Sequence, residues 1–170
     1  MDLRAAVRDR HEAAEQSAWS QLMISGQMTE TQYAAMLHNM LPIYQQLEGT
    51  GLITKPEVLR SARLQADLAA MGSPVNPGLA LSTIYYLQHL QFLGPDDLWA
   101  HVYVHYLGNM HGGQIIAQHL PGPHTHLLFD DLRGCMAYVR NHLHTVTAEE
   151  ANAAFQYTTE IYDELHRLFA

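Results

Sequence analysis

The sequence predicts an all-α fold, one domain of about seven or eight helices. Three observations carry this. Apolar residues recur three and four apart along most of the chain, with almost no alternating strand pattern. Clusters of Gly, Pro, Ser and Asn separate the periodic segments. Hydrophobic residues make up 48% of the 170, enough for one core and typical of a folded domain.

The first helix is expected from about Asp2 to Gln16, and a short second one from Ala18 to Ile24, stopped by Ser25-Gly26. Thr29-Glu-Thr-Gln32 is a capping box, with the Thr29 hydroxyl and the Gln32 side chain satisfying each other's backbone amides. It opens a helix to Glu48, ended by Gly49 and Gly51, in which Pro42 removes one hydrogen bond or kinks the axis. Pro56-Glu57 opens the next, to Met71. Gly72 to Gly78 reads as a loop, and Leu79 to Phe92 as a helix rich in Leu and Tyr. Pro95, followed by two acids suited to the positive helix end, starts a long helix to about Leu120. Pro121-Gly-Pro123 stops it. A helix from Thr125 to Leu143 follows, then a capping box at Thr147-Ala-Glu-Glu150 and a last helix from Ala148 to Phe169.

Composition narrows the function. A net charge of −8 excludes a general nucleic-acid binder. No apolar run is long enough to span a bilayer, and the first residues lack the apolar core of a signal peptide. The single cysteine, Cys135, excludes an internal disulfide and any multi-cysteine metal site. A cytoplasmic location is the resulting expectation. Twelve histidines make a histidine ligand worth seeking.

Two stretches carry chemistry. The long helix contains Gly108, Gly112 and Gly113, beside Asn109 and His111. Each glycine inside a helix costs roughly 1 kcal/mol against alanine. Such a cluster fits a backbone that bends, a flat ligand lying close against it, or another helix crossing closely. On the first helix, Arg4, Arg8, His11 and Glu15 fall on one stripe at 100° per residue. Leu3, Val7, Ala14 and Ala18 form the neighbouring apolar stripe, expected to face the core. The polar stripe suits a ligand with a metal centre and carboxylates at one edge, or an ordinary solvated face.

Together these stretches resemble the heme oxygenase family over nearly the whole chain. His11-Glu-Ala-Ala-Glu15 is similar to that family's N-terminal motif, which makes His11 the expected iron ligand, Glu15 its neighbour, and Arg4 and Arg8 the expected partners of the heme carboxylates. Ile43-Tyr-Gln-Gln-Leu-Glu48 places Tyr44 at a distal-pocket tyrosine. Pro56 to Arg60, Leu64 and Asp67-Leu68 follow the third block. The run from His101 through Tyr103 and Gly108 to Gly112-Gly-Gln114 resembles the distal-helix signature, with Tyr103, Gly108 and Gly112 against the heme. Phe155 and Tyr162 match aromatic pocket positions, and Arg140 a basic residue at the carboxylate edge.

Three positions depart from the family. Asn109 stands where an aspartate is usual, His111 where a serine is, and His105 where an arginine is. The aspartate anchors the water network that delivers protons during oxygen activation. Asparagine holds water but relays no proton as a carboxylate does. His111 is the expected substitute, as proton shuttle or as a second axial ligand. His101 and His105 have the spacing to chelate a metal, but the resemblance makes His101 structural.

The resemblance implies oxidative opening of heme to biliverdin, with release of carbon monoxide and ferrous iron. Heme is then both cofactor and substrate, and O2 the co-substrate. With no flavin, nicotinamide or cluster motif in the chain, electrons come from a partner, a ferredoxin or a flavoprotein reductase, and a bilin reductase is the candidate downstream. Two alternatives stand beside this: a heme-sequestering or heme-sensing protein on the same fold, and a non-heme di-iron protein, for which no Glu-x-x-His pair is present.

Overall fold

The computed structural model describes residues 1–72 and 74–170; Ser73, inside the expected loop from Gly72 to Gly78, lies outside the described residues. Eleven α-helical segments form: α1 (Leu3–Ala6), α2 (Arg8–Gln16), α3 (Ala18–Ser25), α4 (Glu30–Gly49), α5 (Ser61–Ala70), α6 (Leu81–Gln91), α7 (Pro95–Val102), α8 (Gly108–His111), α9 (Gly113–Ile116), α10 (Leu132–Arg140) and α11 (Ala148–Leu168). Among the described residues there is no strand. Joining α1 to α2, and α7 through α9, leaves eight helical units, as the periodicity predicts.

The centre is built by α4 and α11. From α4, Tyr33, Leu37, Ile43 and Leu47 are fully buried, and from α11, Ala151, Ala154 and Ile161. α4 packs on α5 and α6, and α11 on α2, α3, α6 and α7. The capping box is complete at α4: Gln32 N donates to Thr29 Oγ1 at 3.2 Å and Thr29 N to Gln32 Oε1 at 2.8 Å. α4 runs on through Pro42. Gly26 ends α3 at φ +73°, the left-handed conformation a side chain would strain.

Several boundaries differ from expectation, each for a physical reason. The first helix breaks at Val7 (φ −105°, ψ 3°), whose side chain is buried. The helix expected from Pro56 begins at Ser61, after a 3-10 turn at Pro56–Val58. Its cap comes from α4: Glu48 accepts from Arg60 N at 2.6 Å and from Ser61 N at 3.1 Å. The segment from Thr125 is a 3-10 turn to Leu127, and α10 starts only at Leu132. Two buried side chains of the third block hold that irregular stretch. Asp67 accepts from the backbone amides of Thr125 and His126 at 3.0 and 3.1 Å. The Arg60 guanidinium donates to the carbonyls of Glu57, His126 and Leu128, and lies 3.9 Å from the Phe129 ring centroid.

At α11 the capping box is only half made. Glu150 N donates to Thr147 Oγ1 at 3.3 Å, but the Glu150 carboxylate turns to His89 and His101. The apolar stripe of the first helix faces the core in part: Val7 is buried in it, Leu3 packs against it, Ala14 is half-buried and Ala18 is exposed.

Candidate active site

The long helix carries its irregularity ahead of the glycines. Between α7 and α8, Tyr103–Leu107 form a π turn, a widening that often marks functional sites. Gly108 follows with ordinary helical angles (φ −56°, ψ −46°). Gly108 therefore does not bend the helix, whereas Gly112 stands at the break between α8 and α9, and the question is what the missing side chains leave room for. A Cβ on Gly113 would lie 3.0 Å from Leu127 Cδ2, so Gly113 is there for packing. A Cβ on Gly108 meets nothing within 4 Å, and one on Gly112 meets only the Gly108 carbonyl at 3.5 Å. These two leave bare backbone bordering open space.

Next to that face, Asn109 donates from Nδ2 to the Tyr44 hydroxyl at 2.7 Å, and the Tyr44 hydroxyl lies 3.5 Å from the His105 carbonyl. Tyr44 is buried, and burial raises its pKa far above that of free tyrosine. Tyr162, close enough to add to that shift, is itself pushed up to about 12 by burial. Tyr44 comes from α4, Asn109 from α8 and Tyr162 from α11, so three helices meet at one polar spot, with the Tyr106 and His105 rings 5.0 and 6.0 Å from that of Tyr44.

His105 does not chelate with His101. Both rings converge on the Tyr86 hydroxyl, His101 Nδ1 at 2.6 Å and His105 Nε2 at 2.8 Å. Burial drives both imidazoles down, His101 to about 4 and His105 to about 3, so both are neutral near pH 7.

His111 is exposed and stands with the basic residues. Its Nε2 accepts from Arg140 Nη2 at 3.2 Å. Its pKa is lowered by partial burial and by the charges of Arg140 and Arg4. The same Arg4 opposes the rise that burial imposes on Tyr103. The N-terminal helix thus stands beside the long helix, with Arg4, Arg140 and His111 at one edge. Among the described residues, Arg4, Arg8 and Arg140 form no ion pair with a carboxylate.

On α2, His11 packs edge-on against Phe155 of α11, with ring centroids 5.5 Å apart. Its side chain is 51% exposed. Glu15 Oε1 lies 3.5 Å from His11 Nε2, so the carboxylate faces that nitrogen and not Nδ1. α11 thereby spans the site, touching His11 through Phe155 and reaching the Tyr44–Asn109 spot through Tyr162.

A model of the family described as heme oxygenase matches residues 1–128. The chain belongs to the heme oxygenase family. Heme oxygenase 1 of Bos taurus is 29% identical over 132 residues, 67% of this chain and 45% of the bovine protein, so this chain spans less than half of that relative's length. Heme oxygenase-2 of the cyanobacterium Synechocystis, solved in complex with heme and NO, superposes with a TM-score of 0.84 at 25% identity, covering 98% of this chain and 84% of that one. Heme oxygenase-1 of the same organism, solved with heme, gives a TM-score of 0.82 at 20% identity over 98% and 93% of the two chains.

For this heme oxygenase-family chain, the family match includes Arg4, Arg8, His11, Glu15, Tyr44, Tyr103, Gly108, Asn109, His111 and Gly112, and ends before Arg140, Phe155 and Tyr162. Those last three are brought to the others by the fold alone. Sequence reasoning missed Tyr86 and Glu48. Tyr86 binds two histidines. Glu48 accepts from the Tyr106 hydroxyl at 2.9 Å as well as capping α5. Tyr86 lies in no local motif, and Glu48, although it closes the Ile43–Glu48 stretch, meets its partners only across the fold.

Proposed function

We propose that the protein is an active heme oxygenase, opening heme oxidatively to biliverdin with release of carbon monoxide and ferrous iron. The observation that carries this reading is the bare backbone at Gly108 and Gly112, open where no helix packs, in a site that also offers an accessible imidazole at His11. A flat macrocycle needs that clearance, and its metal needs that donor. The residues present fit the group. His11 would hold the iron through Nε2, giving up its 3.5 Å contact with Glu15, whose carboxylate would move to the Nδ1 side to orient the ring. Arg4, Arg8 and Arg140 would take the carboxylates by charge-assisted hydrogen bonds.

Bound heme supplies the redox centre that activates O2 and is itself the molecule oxidised. The chain's own groups do the rest. Gly108 and Gly112 let the macrocycle approach and leave little room for water. Asn109, held by Tyr44 through its amide nitrogen, can fix a water molecule through its remaining amide groups but cannot ionise. His111, neutral at pH 7 because burial and the two arginines lower its pKa, accepts from Arg140 and can carry a proton in from the edge. A ferredoxin or flavoprotein reductase would supply electrons at this edge, where basic side chains interrupt an acidic surface, and a bilin reductase would take the product.

A single-turnover reaction tests this. The hemin complex is mixed with a ferredoxin system in air, with catalase present. Loss of the Soret band with growth of a biliverdin band is expected. A second reading, a heme binder that does not degrade its ligand, is favoured by the uncharged Asn109, and a stable spectrum without pigment would establish it in place of the first.

A further inference from the structure

We propose that His89, His101 and Glu150 form a binding site for a divalent transition-metal ion of the zinc type, joining α6, α7 and α11. The inference does not depend on the heme reading. One donor atom from each residue lies within 4.8 Å of the other two, and each comes from a different helix. Glu150 Oε1 is the shared point: His101 Nε2 lies 2.9 Å from it, and His89 Nε2 contacts it from the other side.

Three features separate this group from an incidental hydrogen-bonded cluster. The first is where Glu150 comes from. Its place in the capping box directs the carboxylate back to the Thr147 amide, yet it leaves that amide for the two histidines. The second is the support behind His101. Tyr86 Oη contacts His101 Nδ1 at 2.6 Å and aims Nε2 at Glu150, the kind of outer partner that fixes a ligating imidazole. Tyr86 also contacts His105 Nε2 at 2.8 Å, so its single proton is used in either direction. Without an ion, His105 donates to Tyr86, Tyr86 to His101, and His101 through Nε2–H to Glu150. With an ion on Nε2, His101 donates through Nδ1–H to Tyr86, and Tyr86 to His105. The Tyr86 hydroxyl stays paired with both histidines in both arrangements, and the His105 proton moves from Nε2 to Nδ1 in the second. The third is access. His89 is half-buried and lines two adjoining surface grooves, with Tyr157 and Glu160 lining both. An ion can enter from that side and keep water on its open positions.

Two imidazoles and one carboxylate suit zinc, or ferrous iron in a three-ligand face, better than calcium or magnesium, which take oxygen donors. Donor atoms around a tetrahedral ion at about 2.0–2.2 Å sit roughly 3.3 Å apart. Both nitrogen–oxygen contacts are shorter than this and would open to admit the ion, while the two nitrogens lie within 4.8 Å of each other. Bound, the ion would tie α6, α7 and α11 at one point.

The test uses the heme-free 170-residue chain after EDTA treatment. Zinc is titrated calorimetrically, and cobalt(II) is added as a spectroscopic probe. One tight equivalent, visible d–d bands for cobalt and a rise in Tm with zinc are expected. His89→Ala should weaken the tight equivalent at least tenfold and abolish the Tm rise. His89→Gln, which keeps an amide donor for Glu150 but not the imidazole, should do the same and decides the matter if the alanine variant unfolds. His11→Ala removes only weak binding at the His11–Glu15 pair. Absence of a saturable equivalent in the parent chain, or unchanged affinity in the folded His89 variant, overturns the proposal.

Discussion

The Asn109 amide donates to the Tyr44 hydroxyl over 2.7 Å, and this bond fixes the orientation of the Asn109 amide group. One Nδ2 hydrogen is used there, which leaves Oδ1 and the second N–H for other partners. Unlike a carboxylic acid, neither end gives up a proton near neutral pH. The relation makes Asn109→Asp informative. The Tyr44 hydroxyl can rotate to donate to a carboxylate, since its other contact, to the His105 carbonyl, is long at 3.5 Å. Stability should therefore change by less than about 1 kcal/mol. Biliverdin formation in a single turnover should rise by about a hundredfold, the lower end of what a positioned acid–base group contributes. An unchanged rate would mean that the proton arrives without this position, with His111→Ala the next variant to measure.

Gly108→Ala and Gly113→Ala should behave in opposite ways. Gly108 has helical angles and open space, so alanine there should stabilise the heme-free protein by up to about 1 kcal/mol. The same methyl should weaken hemin binding by crowding the macrocycle. At Gly113 the methyl meets Leu127 Cδ2 at 3.0 Å, and stability should fall while hemin affinity changes little. Chemical denaturation and hemin titration of the two variants read both effects.

His11→Ala removes an exposed side chain whose partner, Glu15, is also exposed. Stability of the heme-free chain should stay within about 0.5 kcal/mol. The spectrum of the hemin complex should change, because the nitrogen donor to iron is gone, and added imidazole should restore it. A variant whose Soret band matches the parent's would remove His11 from the iron.

Acid should loosen the segment between the long helix and α10 before the rest. Burial pushes the Asp67 carboxyl up, but hydrogen bonds from His126 and Thr125 outweigh it and hold its pKa below the ordinary value. A carboxyl with a depressed folded pKa adds stability above its unfolded pKa, about 3.9, and loses it as pH falls through the folded value. Denaturant midpoints measured from pH 7 downwards should fall below about pH 5. Asp67→Asn should be less stable at pH 7, by about 1–3 kcal/mol, and should show a flatter decline. Parallel curves for both chains would refute the assignment.

The fold was legible where structure is set by neighbours in the chain. Thr29 and Gln32 cap each other three residues apart, and Pro95 with its two acids starts α7 as expected. It was illegible where a cap or clamp arrives from afar. Glu48 caps α5 from 13 residues upstream of Ser61, and Asp67 holds Thr125 across 58 residues. No window on the sequence sees such partners, so the starts of α5 and α10 were placed too early. The site shows the same divide. Gly108 and Gly112 stood out by their helix cost, but that Gly113 serves packing depends on Leu127, which only the fold brings near. Glu150 was read as a cap because Thr147 precedes it, whereas its carboxylate answers to histidines on two other helices.

The π turn at Tyr103–Leu107 has a consequence for how this chain tolerates change in length. A π turn carries one residue more than an α turn around the same arc, so it is an insertion already absorbed. Removing one residue from this stretch would let the flanks join as ordinary helix with both ends still facing as they do now. Removing one from α8 would instead swing everything beyond it by about 100°. Chain length in the distal helix is thus negotiable before Gly108 and fixed after it.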